Sequence, residues 1–153
     1  MAQNKSKNTE KGQSLTEFAL SLVFLLILIA GVADFGRAFF TYIIIRDAAQ
    51  EGAVYGAIAD KSNLSVFKDG VEQRVKTAFI NPEEPAKVPL DVDQIQVQTE
   101  IIGSPCAGVG NGVRVTVDYS IPIATPFLGG FIGSQEIPMQ ASIEDTILSP
   151  LCP

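Results

Sequence analysis

The pattern of apolar and polar positions changes twice along the chain. From Phe18 to Ile45 nearly every position is apolar, and the only charges are Asp34 and Arg37. A run with no polar face predicts a helix surrounded by apolar matter on all sides. Asp34 and Arg37 are three residues apart and can pair on one face of that helix. From Arg46 to Asp60 the pattern turns amphipathic, and Ala49, Gly52, Ala53 and Gly56 recur at i, i+3, i+4, i+7 spacing. Every proline lies at Pro82 or later, so no strong helix breaker interrupts the region from Gln13 to about Ala59. One helix roughly 70 Å long is predicted there. Its stripe of small residues lets another backbone approach closely, either that of a second subunit or this chain's own sheet.

The second half reads differently. Leu64, Phe67, Val71, Val75 and Phe79 recur at helical spacing, Asn63 can cap the start, and Asn81-Pro82 ends the run. A second, amphipathic helix is therefore predicted over 63–80, followed by a linker, "PEEPAKVP". Three runs of period two come next. Ile95, Val97, Thr99 and Ile101 alternate with polar positions, as do Val113 to Ile121 and Ile137 to Ile143. One apolar and one polar face per strand predict a three-stranded antiparallel sheet, with one side on the helices and the other in water. Turn-rich segments, "GSPCAGVGNG" and "PIATPFLGGFIG", connect the strands. In the second of these, Phe127, Leu128, Phe131 and Ile132 are large apolar residues among glycines, which fit either a lid folded over the sheet or a contact with another subunit. The fold class is α+β: a long N-terminal helix over 13–60, apolar over 18–45, and a head over 61–153.

Composition narrows the function. The chain has 153 residues, two cysteines and no histidine. Two cysteines without histidine do not make a usual zinc set, and no metal or other cofactor is expected. There is no Ser-His or Cys-His pairing and no glycine loop opening a helix, so no catalytic residues are assigned. Asp91 with Asp93, and Glu83 with Glu84, read as solvated loop acids. A net charge of −6 argues against nucleic acid as a partner.

One charge needs a reason. Glu17 stands at the mouth of the uncharged stretch 18–33, where a carboxylate is costly in lipid unless something keeps it there. Upstream lies a polar tail with Lys5, Lys7 and Lys11. A basic tail, an apolar core and Gly31-Val32-Ala33 are the parts of an ordinary secretion signal cut after Ala33. Against that reading, Glu17 abuts the core, and a cut there would expose "DFGRAFFTYIII" as the mature N-terminus. A plain membrane anchor, with Asp34 and Arg37 reaching the interface, is the other simple reading.

Gly12, Gln13, Ser14, Leu15, Thr16, Glu17 and Phe18, leading into the apolar helix, resemble the class III signal of type IV pilins and pseudopilins. More narrowly, "VADFGRAFFTYIIIRDAAQEGAVYGA" is similar to the TadE-like pilins of the tight-adherence (Flp) pilus, which carry an acid-Phe-Gly-Arg element, here Asp34-Phe35-Gly36-Arg37. The resemblance is specific over roughly 12–57. The segment from Tyr119 to Leu128, with Thr125-Pro126, is also similar to that family's C-terminal region. The resemblance implies a leader over 1–12, cut after Gly12 by a membrane-embedded prepilin peptidase that also methylates Gln13. It implies partners too: other pilin subunits, an assembly platform in the membrane, and the bilayer before assembly. Glu17 becomes the fifth mature residue, where the family keeps its glutamate. In a lipid-free bundle of helices it would neutralise the Gln13 ammonium of a neighbour and set the axial register, since each buried charge is costly alone. The bland alternative is a helix-start acid favoured by the macrodipole.

If the basic tail stays in the cytoplasm, the head lies on the other side of the cytoplasmic membrane and then in an extracellular pilus. Cys106 and Cys152 would share an oxidising compartment, and a bridge between them is expected there. Closing a loop of about 45 residues would contribute roughly 4 kcal/mol in the chain-entropy account. The function implied is a structural filament subunit. The alternatives are a membrane-anchored scaffold or adhesion domain that never polymerises, and a secreted domain cut after Ala33.

Overall fold

The computed structural model describes residues 9–79, 90–106, 108, 110–125, 129–130 and 133–148. Helix α1 spans Thr9–Ile58. Nothing between Gly12 and Ile58 interrupts it, since glycine weakens a helix interior without breaking it. Helix α2 spans Leu64–Phe79. The Asn63 side chain accepts the backbone N–H groups of Ser65 and Val66, at 3.2 and 3.4 Å, and so caps its start. In the turn between the helices, the backbone N–H and hydroxyl of Ser62 both donate to Asp60. They hold its carboxyl below the ordinary carboxylate range. The linker 82–89 lies outside the described residues.

Strands β1 (Gln96–Ile102), β2 (Gly112–Pro122) and β3 (Glu136–Thr146) form one antiparallel sheet in the order β1-β2-β3. On β2, Val113, Val115, Val117, Tyr119 and Ile121 are buried in alternation with polar residues. The polar face is laced by cross-strand pairs. Arg114 donates to Glu100 and Glu144, each at 3.1 Å, and Asp118 accepts from Gln98 and Gln140 at 3.4 and 2.7 Å. Exposed pairs of this kind add little stability each, but they favour the observed register. Ile95 is buried just ahead of β1, after a 3-10 turn over Val92–Gln94. Asp91 caps that turn, and its N–H donates to the Tyr119 hydroxyl at 3.3 Å.

The chain divides into two compact units. One comprises α1 up to Arg37 and the β2–β3 loop, Ile123–Gln135. The other comprises α1 from Ala38 onward, α2 and the sheet. Its core joins Ile45, Ala48, Ala49 and Ala53 of α1 to Phe67, Val71, Val75 and Phe79 of α2 and to the β2 valines. The small-residue stripe lies in this core. A Cβ on Gly52 would meet Val75, Val115 and Val71, and one on Gly56 would meet Val113 and Val71. Of the two readings of the stripe, the intramolecular one is correct: it admits this chain's own α2 and β2, and the subunit-contact reading is corrected. Leu64 behaves differently from the other periodic residues of α2. It shares the spacing of the buried α2 residues, yet it is half exposed, because as the first residue of the helix it has no turn beneath it to fix its side chain inward. After β3 the chain returns to α1, and the Leu148 N–H donates to the Ala57 carbonyl at 3.0 Å.

Candidate functional site

The lower part of α1 is bare. The consecutive residues Val23, Phe24, Leu25 and Leu26 are 54%, 68%, 52% and 57% exposed, and four successive positions face nearly every direction around a helix. The segment is long and apolar enough to cross a membrane. Leaving this much apolar surface in water would be unfavourable, so lipid or other helices must cover it.

At the start of this segment the Gln13 side-chain amide donates to Glu17 at 3.5 Å, and the Thr16 hydroxyl donates to the Gln13 carbonyl at 2.8 Å. All three side chains are exposed. Gly12 lies within α1, with open space where a Cβ would point. The Gly12–Gln13 bond of the uncut chain is thus helical, three residues into α1.

At the far end of the segment, Asp34 is 4% exposed although its neighbours Ala33 and Phe35 are exposed. Its carboxylate is fully engaged. Oδ1 accepts the Ala124 N–H at 3.2 Å and Oδ2 accepts the Thr125 N–H at 2.7 Å. Arg37 Nη1 donates to Oδ1 at 3.3 Å across one helical turn. Arg37 keeps about half its surface open, so its ion pair is worth little by itself, whereas the two backbone donors meet a buried acceptor. The Thr125 hydroxyl is buried beside the Asp34 carboxylate, although it makes no hydrogen bond of good geometry among the described residues. Two further bonds shape the loop: the Ile123 N–H donates to the Gln135 carbonyl and the Gly133 N–H to the Gly129 carbonyl, each at 2.9 Å.

The sequence singled out Asp34 and paired it only with Arg37. It also singled out Thr125-Pro126, without linking the two. The structure brings these distant elements together through backbone N–H groups, which no residue pattern displays. The available hint was a buriable acid followed, far along the chain, by an uncharged loop.

Cys106 lies in the β1–β2 loop. Its carbonyl accepts the Asn111 side-chain amide at 3.0 Å, while the Asn111 side-chain oxygen accepts the Ser104 N–H at 2.8 Å. Gly103, at φ +74°, makes the turn that brings Ser104 to Asn111. Cys152 lies outside the described residues, as do Phe127, Leu128, Phe131 and Ile132.

Comparison with curated proteins and with solved structures finds no match. A family match does exist, and it covers the segment that carries Gly12, Glu17, the bare helix and the Asp34–Arg37 pair. Residues 12–54 match the family of TadE-like proteins.

Proposed function

We propose that the chain is a TadE-like pilin or pseudopilin, a structural subunit of a tight-adherence (Flp) type IV pilus and not an enzyme. A prepilin peptidase cuts it after Gly12 and methylates Gln13. The bare helix holds the subunit in the cytoplasmic membrane with its N-terminus inside. Assembly then moves that helix from lipid into a bundle of like helices, where other pilin subunits cover it. The observation that carries the reading is a helix exposed on every side within the TadE-like match, beginning at a Gly-Gln-Ser-Leu-Thr-Glu-Phe sequence. A helix covered by its own fold would have no use for such a surface.

The intact mass of the protein recovered from native envelopes tests this. A mature chain beginning at Gln13 and carrying one added methyl group supports the proposal. An N-terminus at Met1 supports a permanent anchor, and one at Asp34 a secreted domain. Replacing Gly12 with a bulky residue should obstruct a narrow peptidase site and leave full-length precursor in the membrane. Normal shortening of that variant would show that the cut does not depend on Gly12.

A further inference from the structure

We infer that the described residues of the β2–β3 loop, 123–125, 129–130 and 133–135, form a second membrane-contacting element, seated in the headgroup region of the bilayer face farther from the N-terminus. The inference rests on the reading of the bare helix as a membrane span. Four observations lead to it.

The first is depth. A hydrocarbon core about 30 Å thick takes about 20 helical residues. If Glu17 marks one face of the bilayer, a helix rising about 1.5 Å per residue reaches the other face near Arg37. Asp34 is one turn below Arg37, and its two oxygens hold Ala124 and Thr125 at 3.2 and 2.7 Å. Ala124 and Thr125 are therefore fixed at the level where hydrocarbon gives way to headgroups. The second is organisation: the loop groups with α1 up to Arg37 and not with the sheet it connects.

The third is composition. No charged residue occurs between Asp118 and Glu136, while the strands on either side carry several. The fourth is backbone satisfaction. Irregular backbone near lipid needs its polar groups paired within the protein. Here the N–H groups of Ala124 and Thr125 go to Asp34, that of Ile123 to Gln135 and that of Gly133 to Gly129. The compensation is mutual. An acid at the edge of a span is costly without partners, and the loop supplies two donors beside Arg37.

The chain contains no tryptophan, so one introduced residue reports on its own surroundings. Gly130 is exposed and a Cβ there meets nothing within 4 Å, which makes Gly130→Trp a tolerated probe. The full chain is reconstituted in phosphatidylcholine vesicles, with and without acyl-brominated lipid as quencher. Val32→Trp, in the span, and Ala78→Trp, on the exposed side of α2, bracket the response. Gly130→Trp is expected to emit to the blue of Ala78→Trp and to be quenched by brominated lipid. Adding Asp34→Ala should return it towards the Ala78→Trp level. Emission and quenching equal to Ala78→Trp, with Val32→Trp quenched, overturn the inference. That result would leave a lid over the protein or a subunit contact as the role of the loop. Quenching unchanged by Asp34→Ala overturns the role given to that carboxylate. An unquenched Val32→Trp overturns the membrane span itself.

Discussion

Gly52→Ala sets two effects of opposite sign against each other. Alanine is the better helix former, and in the interior of α1, six residues before its end, it should gain about 1 kcal/mol. The new methyl group, however, would sit 2.5 Å from Val75 Cγ2, with Val115 Cγ1 at 3.3 Å and Val71 Cγ1 at 3.5 Å. Carbon atoms pack best at about 3.5–4.0 Å, so the Val75 contact is short by about 1 Å. Val75 has little room to yield. It is fully buried, and a β-branched side chain in a helix has one strongly preferred rotamer. Overpacking of this kind costs about 1–3 kcal/mol, and the closeness of the contact places Gly52 towards the upper end. The net expectation is a loss of about 1–2 kcal/mol, or a fall in Tm of roughly 5–10 °C for a folded unit of this size.

The assay is thermal unfolding of the full chain in detergent, followed by circular dichroism. Val75→Ala alone should also lower Tm, by removing two buried methyl groups worth about 0.8 kcal/mol each and leaving a cavity. The double variant separates packing from propensity. The alanine at position 52 then fills part of the space vacated at 75, so the pair should be no less stable than Val75→Ala by itself. Gly70→Ala serves as a contrast. Its Cβ would meet the Tyr55 hydroxyl at 2.8 Å, but that is the tip of a partly exposed side chain, which can move, so no loss is expected. A higher Tm for Gly52→Ala, or losses that simply add in the double variant, would refute the close approach of α1 to α2.

Three other outcomes are expected. Glu17→Gln should still insert and still be cut after Gly12. As a mere helix-start acid, Glu17 would cost a few tenths of a kcal/mol to lose; as the partner of a neighbour's buried ammonium it would cost several, so mature monomer should accumulate and the variant should be missing from sheared filaments. Asp34→Ala leaves the Ala124 and Thr125 N–H groups without their acceptor, at about 1–3 kcal/mol for each one left buried; amide hydrogen exchange at those two positions should accelerate. For the proposed Cys106–Cys152 bridge, native unreduced protein should resist alkylation and Cys152→Ser should be more sensitive to protease; two reactive thiols per chain would dismiss the bridge.

The elements that could be read from the sequence are those in which a period maps directly onto a face. The alternation from Val113 to Ile121 marks the inner side of β2, and the spacing of Phe67, Val71, Val75 and Phe79 marks the inner side of α2. The same spacing includes Leu64, which is half exposed, because periodicity does not tell the first residue of a helix from an interior one. The small-residue stripe was visible as a close-approach surface, but spacing cannot say whose backbone approaches. The contact of Asp34 with the β2–β3 loop was hidden, because its donors are main-chain groups at Ala124 and Thr125.

The hydrogen bond from Leu148 to Ala57 bears on the order in which the chain becomes complete. Ala57 is in the last turn of α1, where carbonyls have no partner within the helix, and the donor that serves it comes from beyond β3. Synthesis runs from the N-terminus, so α1, α2 and the first two strands all emerge before that donor does. Until β3 is in place, β2 lacks one of its two neighbours and the end of α1 remains open to solvent. The head is therefore latched from its C-terminal side. A chain halted before β3 would be an unfinished protein with its long helix already made, and only the last stretch converts a tethered collection of elements into a closed fold.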